Sequence, residues 1–411
     1  MKLLILGSVA LPVPPPMQGG TERIAYFQAT GLSKRGHDVT LIAAAGSKHD
    51  SLYTLVEIGG GDTVSGQLQQ PSQGHALKMA VGLAESSRNL RKELVYMAHV
   101  SEWVLTHGKE FDVILNNMRG GESVLLPIAK LLGVPFVTVM HLPIFDELAD
   151  LFRQYQTQVI TISNAQRKGF DGLQYAGTVY NCVEPALLSV PSTLNPDPYV
   201  LILGSIAPHK NQKDGILAAK KLGKKIILAG KIGNQAYWDT EIAPFVDGKT
   251  VIHKGELRLE EKTALLAGAE ALLFPIIWPE PFGLVMIEAM ACGTPVVAYD
   301  NGAVPEVVRD GVTGFIIEPG ALGQDAVVLA SSRSRSDTFP SSPSSQGHDD
   351  AAKQHPSPRR ITQTGVTGLA EAINRINEID RAACRRHVEA NFSMSVMLDS
   401  LEDALGKVVH P

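Results

Sequence analysis

Two glutamates stand out in the stretch WPEPFGLVMIEAMACGTPVVA, which covers residues 278–298. Glu280 and Glu288 lie eight residues apart in a segment that is otherwise apolar. A pair of carboxylates can provide the general acid and general base that cleave a bond to a sugar. Alternatively, the two residues bind hydroxyl groups of a ligand, or Glu280 is a first-turn acid that the helix dipole stabilises. The spacing alone does not decide between these roles.

The residues around the two glutamates predict a loop followed by a helix. The prolines on either side of Glu280, together with Gly283, favour an irregular loop, and residues 284–291 favour a helix. The backbone N–H groups of Gly283 and Leu284 are then free at the helix start, a position suited to anions or sugar oxygens. Glu288 lies within a mostly apolar helix, so its carboxylate needs a partner or water.

Further positions carry groups suited to a phosphate or a sugar. Gly19 and Gly20 follow a proline-rich loop and open a helix, so the backbone can approach an anion closely there. His141 comes directly after the apolar run PFVTVM and can donate to a sugar hydroxyl or a phosphate. Lys210, in the loop GSIAPHKN, can act as a point charge on a phosphate. Taken singly, these residues also fit a plain turn, a structural histidine and a solvated surface lysine.

These positions follow short apolar runs that predict the strands of parallel sheets. The runs are continuous rather than alternating in polarity, as expected for strands covered on both faces. Helix candidates such as residues 21–36, 257–269 and 283–293 separate them. In open α/β sheets, ligands bind beyond the C-terminal ends of the strands, where His141 falls. The predicted strands are 2–7, 38–44, 112–117, 135–140 and 158–163, followed by a second series at 199–205, 225–230, 250–255, 271–275, 295–300 and 314–319.

Two successive series of strands and helices predict two Rossmann-like domains, in keeping with a length of 411 residues. We place the first domain at 1–188, a Pro- and Ser-rich linker at 189–198 and the second domain at 199–392. Residues 393–411 fit an amphipathic helix. Residues 330–360 hold nine serines, four prolines and one aromatic residue, so we expect a disordered insert. The insert fits a regulatory segment with Ser-Pro sites or a neutral surface loop, and the low cost of long loops favours the second.

Composition and missing motifs argue against several classes of function. The formal net charge of −5 disfavours a nucleic-acid partner. The three cysteines lie far apart without CxxC spacing, which argues against structural zinc or a disulfide framework and for a cytoplasmic location. No run reaches the roughly 18–20 apolar residues of a membrane span, and the apolar start fits a buried strand better than a signal peptide. Motifs of dinucleotide, P-loop, serine-hydrolase and zinc-protease sites are absent.

The combined motifs resemble the retaining glycosyltransferases of family 4, which belong to the group 1 glycosyltransferases. Glu280 and Glu288 form the E-x7-E pattern of that family, and AMACGTPVVA, NGAVPEVV and GVTGFIIEP continue it. GGTER and GHDVTLIA near the start, His141, and NCVEP at 181–185 also match. The resemblance covers nearly the whole chain outside the insert. It implies an α/β protein with the GT-B fold, in which two Rossmann-like domains with parallel sheets face a central cleft.

The resemblance implies that the chain moves a hexose, with glucose favoured, from a nucleotide sugar to an acceptor hydroxyl. It implies no bound metal and no separate cofactor. UDP-glucose is the expected donor and GDP-mannose stays open, as do the acceptor (a small molecule, a glycan or a lipid) and membrane association. The implied catalytic residues are Glu280, which holds hydroxyls of the donor sugar, Lys210, which neutralises the leaving diphosphate, and His141, which touches the sugar near its C6 hydroxyl. The C-terminal helix is expected to pack back on the first domain.

The resemblance also implies a set of residues that bind the donor. Gly19 and Gly20 are expected under the diphosphate and Glu288 at the ribose. Gly255 and Leu257 are expected to flank the base. The backbone amides expected to hold the sugar and phosphate are those of Phe282, Gly283 and Leu284.

One position departs from the family. Relatives carry an arginine after the glycine of the second domain's first strand, in a pattern GRxxxxK, whereas this chain has Gly204 and Ser205 with Lys210 retained. A hydroxyl at Ser205, expected near the diphosphate, replaces a bidentate cation. Either diphosphate binding is weaker or another basic residue supplies the charge. The alternative function is therefore a GT-B protein that binds a nucleotide sugar with weak or no transfer.

Overall fold

The computed structural model of the chain describes residues 1–15, 19–63, 75–188, 196–320 and 360–410. The side chains of residues 75–86 and of Leu187 are outside this description. The expected insert at 330–360, apart from Arg360, and residues 189–195 of the expected linker lie outside the described residues.

Seven parallel strands form the first sheet, in the order β3-β2-β1-β4-β5-β6-β7. The chain starts in its centre, and the later strands add on one side. The strands are β1 (Lys2–Ser8), β2 (Asp38–Ala43), β3 (Thr54–Glu57), β4 (Val113–Asn116), β5 (Phe136–Met140), β6 (Gln158–Thr161) and β7 (Gln174–Thr178).

Six parallel strands form the second sheet, in the order β10-β9-β8-β11-β12-β13. Its first strand again lies in the centre, so the two sheets repeat one topology. These strands are β8 (Tyr199–Leu203), β9 (Lys225–Ala229), β10 (Val251–His253), β11 (Ala271–Phe274), β12 (Val296–Tyr299) and β13 (Gly314–Ile317). Two parallel sheets with intervening helices confirm the expected α/β class.

Helices connect the strands and cover both sheets. Those of the first half are α1 (Gly20–Lys34), α2 (His75–His107), α3 (Gly121–Val124), α4 (Leu126–Leu132) and α5 (Asp146–Tyr155). Those of the second half are α6 (Gln212–Lys221), α7 (Gln235–Tyr237), α8 (Leu259–Gly268), α9 (Leu284–Ala291), α10 (Val304–Val307), α11 (Gly365–Asn374), α12 (Arg381–Asn391) and α13 (Met394–Val409). Within the described residues, no helix is both long enough and apolar enough to cross a membrane.

The continuous apolar run at the start of the chain becomes a strand buried on both faces. Leu3 and Ile5 of β1 pack into one apolar cluster, whereas Leu4 and Leu6 pack into the cluster on the opposite face. All four side chains have no solvent exposure. Since side chains alternate between the faces of a strand, a strand covered on both faces must be apolar at every position.

The sequence-based prediction did not name β3, β7 or the helices of the first domain after α1, of which α2 is the longest. β3 and β7 are the two edge strands, and their mixed polarity and partial exposure give no continuous apolar run. Helix α2 extends over 33 residues, and Leu90, Leu94 and Val95 on it are more than half exposed. Its apolar residues therefore do not trace the single buried stripe by which helices are recognised.

The last helix, α13, packs against α1 and β7 of the first domain. Gly31 on α1 leaves room for Leu398, which a β-carbon at that position would meet. Arg35 forms ion pairs with Asp399 and Glu402, and His37 Nε2 lies 2.8 Å from Glu402 Oε1. The end of the chain is thus held to the domain in which the chain begins.

The chain crosses between the two domains at a second place, next to the first crossing. Val183 lies near the end of the first domain, and its N–H donates to the carbonyl of Phe392, just before α13, at 3.0 Å. Val183 also forms a parallel bridge with Ser393. Arg385 Nη1 donates to the carbonyl of Leu188 at 2.8 Å. The outgoing and returning segments therefore lie side by side.

Candidate active site

A pocket of about 190 Å³ lies between the two domains. The first domain contributes the start of α1, and the second contributes the ends of β8 and β9 and parts of α8 and α9. The lining residues are Gly19, Gly20 and Arg23 from the first domain, and Leu203, Gly204, Gly230, Leu257, Leu259, Lys262, Leu284, Val285 and Glu288 from the second.

The two domains approach each other closely at Gly20. A β-carbon on this residue would lie 2.7 Å from Leu284 Cδ1, so a larger residue would push the start of α1 away from α9. The sequence predicted that Gly19 and Gly20 allow a close approach of the backbone, and the structure places both in the pocket lining. Opposite them, α9 begins after Gly283, which has φ +84° and no capping side chain. The first N–H groups of α9 therefore have no partner within the helix.

Glu288 points into this pocket from α9. Its Oε1 lies 2.6 Å from Lys262 Nζ, and both side chains are less than one-fifth exposed. The ion pair gives Glu288 the partner that a carboxylate on a mostly apolar helix requires. Lys262, on α8, was not singled out in the sequence, where it is one polar residue of an ordinary helical pattern.

Glu280 is held by two donors before α9 begins. Lys210 Nζ and Trp278 Nε1 each lie 2.7 Å from Glu280 Oε2. The ammonium also lies 5.3 Å from the centre of the Trp278 ring. The structure therefore brings together two predicted site residues, Glu280 and Lys210, and adds Trp278, which the sequence analysis missed although it lies two positions away.

The two glutamates thus have separate partners. Glu280 is bonded to Lys210 and Trp278, whereas Glu288 is bonded to Lys262. Glu288 lines the pocket and Glu280 does not. The two carboxylates therefore have different surroundings, one in the pocket lining and one in the loop before α9.

His141 follows β5 and is partly buried beside two buried amide side chains of the first domain. Its Nε2 lies 2.8 Å from Asn117 Oδ1, and Asn117 Nδ2 donates to Gln28 Oε1 at 2.7 Å. The Asn117 amide is therefore oriented with its oxygen toward the imidazole, which donates from Nε2 and keeps Nδ1 as an acceptor. Burial lowers the pKa of His141 to about 4, so the ring is neutral at pH 7. His141 is not among the pocket-lining residues, and no described hydrogen bond joins it to Glu280 or Lys210.

The lowered pKa of His141 makes a testable contribution to stability. The unfolded chain binds a proton at this residue near pH 6.5, and the folded protein does so only near pH 4. Protonation therefore favours unfolding, and this contribution to stability is lost as the pH falls from 6.5 to about 4. We expect His141→Gln to lose less stability than wild type between pH 7 and pH 5, in urea unfolding at both values. Equal losses in the two proteins would contradict a neutral imidazole in the folded protein.

The remaining predicted residues lie around the second sheet's C-terminal edge. Leu257 lines the pocket, and the Gly255 carbonyl accepts a hydrogen bond from Gly230 N at 2.6 Å. The Phe282 side chain is 1% exposed and packs against Tyr180 and Phe392, so only its backbone is available to a ligand. Ser205 is not in the lining, although its neighbour Gly204 is. Its hydroxyl lies against Gly233, in the space that a β-carbon there would take.

Glu306 on α10 ties the second domain to the first. Its carboxylate accepts from the backbone N–H groups of Asn164 and Ala165, at 2.8 and 2.7 Å, and from the Asn164 side chain at 3.0 Å. Tyr180 OH adds a fourth hydrogen bond at 2.9 Å. Burial and the nearby carboxylate raise the pKa of Tyr180, so the phenol stays protonated and donates.

We expect Glu306→Gln to loosen the contact between the domains. The amide nitrogen of glutamine would face N–H groups in place of a carboxylate oxygen, and the loss should lower the free energy of unfolding by about 1–3 kcal/mol. Urea unfolding measures this, and limited proteolysis measures the exposure of the interface. Glu110→Gln is the control, because its carboxylate is 53% exposed and bonded to Lys2 at the surface. Equal stability of the two variants would contradict the role assigned to Glu306.

Among the described residues, no group of three or more His, Cys, Asp or Glu side chains is arranged to hold a metal ion. The charged groups of the site are instead lysine–glutamate pairs and one arginine, Arg23. Such a site can bind a ligand that carries both hydroxyl groups and an anion, since it offers carboxylate acceptors, ammonium donors and free helix N–H groups.

A family model and several curated proteins match parts of the chain. Residues 189–331 match the family model described as "Glycosyl transferases group 1". The chain is 53% identical over 130 residues to a D-inositol 3-phosphate glycosyltransferase of Mycobacterium bovis, an alignment that covers 30% of this chain and 27% of that protein. The matches span 13 to 27% of the length of the curated relatives.

Two solved structures resemble the chain over its full length. One is a glycosyltransferase involved in avilamycin A biosynthesis, with TM-score 0.65, 20% identity and coverage of 100% of this chain and 98% of the other. The second is HepE of Anabaena in complex with UDP and glucose, with TM-score 0.65, 19% identity and coverage of 99% of both chains. These likenesses confirm the expected GT-B fold.

Proposed function

We propose that the chain is a retaining glycosyltransferase that moves glucose from UDP-glucose to an acceptor hydroxyl. The observation that carries the proposal is the pocket in which Gly19 and Gly20 of one domain meet the uncapped start of α9 and Glu288 of the other. The match of residues 189–331 to a glycosyltransferase model supports it. So does the likeness to a protein crystallised with UDP and glucose.

In the proposed complex, the donor lies across the pocket with its two ends at different glutamates. Glu288 accepts hydrogen bonds from the ribose hydroxyls, and Glu280 accepts them from the donor sugar near C3 and C4. Gly255 and Leu257 flank the base. The separate lysine partners of the two glutamates support this division, because each carboxylate is held in a fixed orientation before the ligand arrives.

The proposed reaction breaks the bond between the sugar C1 and the diphosphate oxygen. Negative charge grows on the departing diphosphate, and Lys210 with the backbone N–H groups of Phe282, Gly283 and Leu284 stabilises it where it develops. The acceptor hydroxyl attacks C1 from the same face and passes its proton to the departing phosphate oxygen. No protein carboxylate becomes bonded to the sugar, and the positive charge comes from side chains and helix N–H groups without a bound metal.

His141 is proposed to orient the sugar near its C6 hydroxyl. The network of Gln28 and Asn117 fixes the ring with Nε2 as the donor, which leaves Nδ1 to accept a hydrogen bond from a hydroxyl. The lowered pKa keeps this acceptor available at neutral pH. The domains must close further, or the sugar must reach beyond the pocket lining, for this contact to form.

A second candidate function is the binding of a nucleotide sugar with weak or no transfer. Ser205 favours it, because its hydroxyl lies against Gly233 and an arginine is expected at this position in relatives. The proposed enzyme would act in the cytoplasm on a small-molecule, glycan or lipid acceptor. We propose 1–188 and 199–392 as the two domains, with 330–360 as an insert.

A thermal-shift screen followed by a donor assay tests the proposed function. The screen covers UDP-glucose, UDP-galactose, GDP-mannose and their free diphosphates, and we expect the largest rise in melting temperature with UDP-glucose. Release of UDP, and proton NMR of the first product formed, then measure turnover and the configuration at C1. A rise without any release of UDP under all acceptors supports the second candidate. The absence of a rise with every nucleotide would overturn both.

A further inference from the structure

The proposed donor brings a diphosphate whose charge needs more than Lys210. Lys210 is already bonded to Glu280, and Lys262 in the pocket lining is already bonded to Glu288. Each pair is close to neutral as a unit. The position that is expected to hold an arginine in relatives holds Ser205, and its hydroxyl is turned toward Gly233.

Arg23 is the lining cation that has no such partner. It lies on α1, one turn after Gly19, whose carbonyl accepts from the Arg23 backbone N–H at 3.2 Å. Within the described part of the chain, its guanidinium makes no hydrogen bond or ion pair. An arginine in a pocket keeps its charge at any physiological pH, and its five N–H donors match the oxygens of phosphates.

The location of Arg23 suits a contact with the proposed diphosphate. It lines the same pocket as Gly204, which directly precedes Ser205, and Leu284, the first residue of α9. The close approach of Gly20 to Leu284 brings the start of α1 to the N-terminus of α9. Lys231 and Lys254 lie shortly after the ends of β9 and β10 of the second domain, but neither lines the pocket.

We infer that Arg23 supplies, from the first domain, the guanidinium that binds the donor diphosphate in place of the arginine missing at Ser205. This inference rests on the proposed function. It has a consequence for how the donor is held: the diphosphate is bound from both domains, with Arg23 on one side and Lys210 and α9 on the other. Affinity for a diphosphate then depends on closure of the cleft, whereas affinity for the nucleoside does not.

Binding of UDP and UMP to the full chain tests the inference by isothermal titration calorimetry, with GDP and GMP measured in parallel. We expect Arg23→Met to weaken UDP binding by roughly 10- to 100-fold, the effect of losing hydrogen bonds to a charged group, and UMP binding by less than about threefold. Arg23→Lys should fall between Arg23→Met and wild type, because lysine keeps the charge and loses the fork. Arg23→Lys also provides the test of the inference if Arg23→Met does not fold.

Two control variants separate the inference from a general effect of charge. Arg91→Met removes an exposed arginine of the same domain outside the pocket, and Lys231→Met removes a cation of the second domain that lies directly after the lining residue Gly230. Both should bind UDP as wild type does. Wild-type affinity for UDP in Arg23→Met, or a loss confined to Lys231→Met, would overturn the inference and leave the proposed function standing. Wild-type protein that binds neither UDP nor GDP would overturn both.

Discussion

Lys210→Met is expected to lower kcat by roughly 100- to 1000-fold while the protein stays folded, because it removes a cation from the place where charge develops in the transition state. The methionine keeps the length of the apolar stem against Trp278. Glu280 keeps its hydrogen bond from Trp278, so the loop before α9 is still held from one side. Release of UDP from the donor under saturating acceptor measures the effect.

Lys213→Met provides the matched control for Lys210→Met. Lys213 also forms an ion pair with a glutamate, Glu241, at 2.6 Å, but it lies on α6 away from the pocket lining and its side chain is 43% exposed. This variant should turn over at the wild-type rate. Turnover of Lys210→Met within threefold of wild type would remove Lys210 from the proposed reaction.

The second large effect is that the two glutamates are expected to control different quantities, Glu280 the value of kcat and Glu288 the affinity for UDP. We expect Glu280→Gln to lower kcat by about 100-fold or more with little change in UDP affinity, because Glu280 contacts only the sugar in the proposed complex. Glu288→Gln should weaken UDP binding by roughly tenfold or more and lower kcat by much less, because a charged acceptor for the ribose is lost. Calorimetry with UDP and steady-state kinetics of both variants separate these effects.

The alternative acid and base mechanism predicts a different pattern. Both variants would then lose kcat with unchanged UDP affinity, and each would lose one limb of the pH–rate profile. Glu270→Gln is a suitable control for both variants, since Glu270 forms a 2.6 Å ion pair with Lys224 and lies outside the pocket. Loss of one limb in Glu280→Gln and of the other limb in Glu288→Gln would support the interpretation of the pair as acid and base.

The location of the candidate site was predictable in part from the sequence. Gly19 and Gly20, at the start of a helix, line the pocket as expected. Glu288 lines it from within α9, whereas His141 and Lys210, which come after apolar strands, lie outside the lining. The partners of the site were not predictable, because they depend on packing between distant elements. Lys262 lies 26 positions before Glu288, and nothing in its own helix distinguishes it from other surface lysines.

The fold was predictable to the same extent. Every predicted strand of the central sheets is present, because continuous apolar runs leave few alternatives in a chain of this length. The edge strands β3 and β7 were missed, since an edge strand is only partly buried and has no strong pattern. Ser205 shows a further limit: a change of residue type was visible, but the direction of its side chain toward Gly233 was not.

The paired crossings of the chain restrict how the cleft can open. A single flexible connection would let one domain swivel freely, whereas two neighbouring connections, joined by hydrogen bonds from Val183 to Phe392 and from Arg385 to Leu188, leave bending at their shared edge as the soft motion. The hinge is therefore formed by the end of the first domain together with the end of the second domain. We therefore expect opening and reclosing to follow a single hinge axis, so that each closure returns Gly20 to its contact with Leu284 on α9.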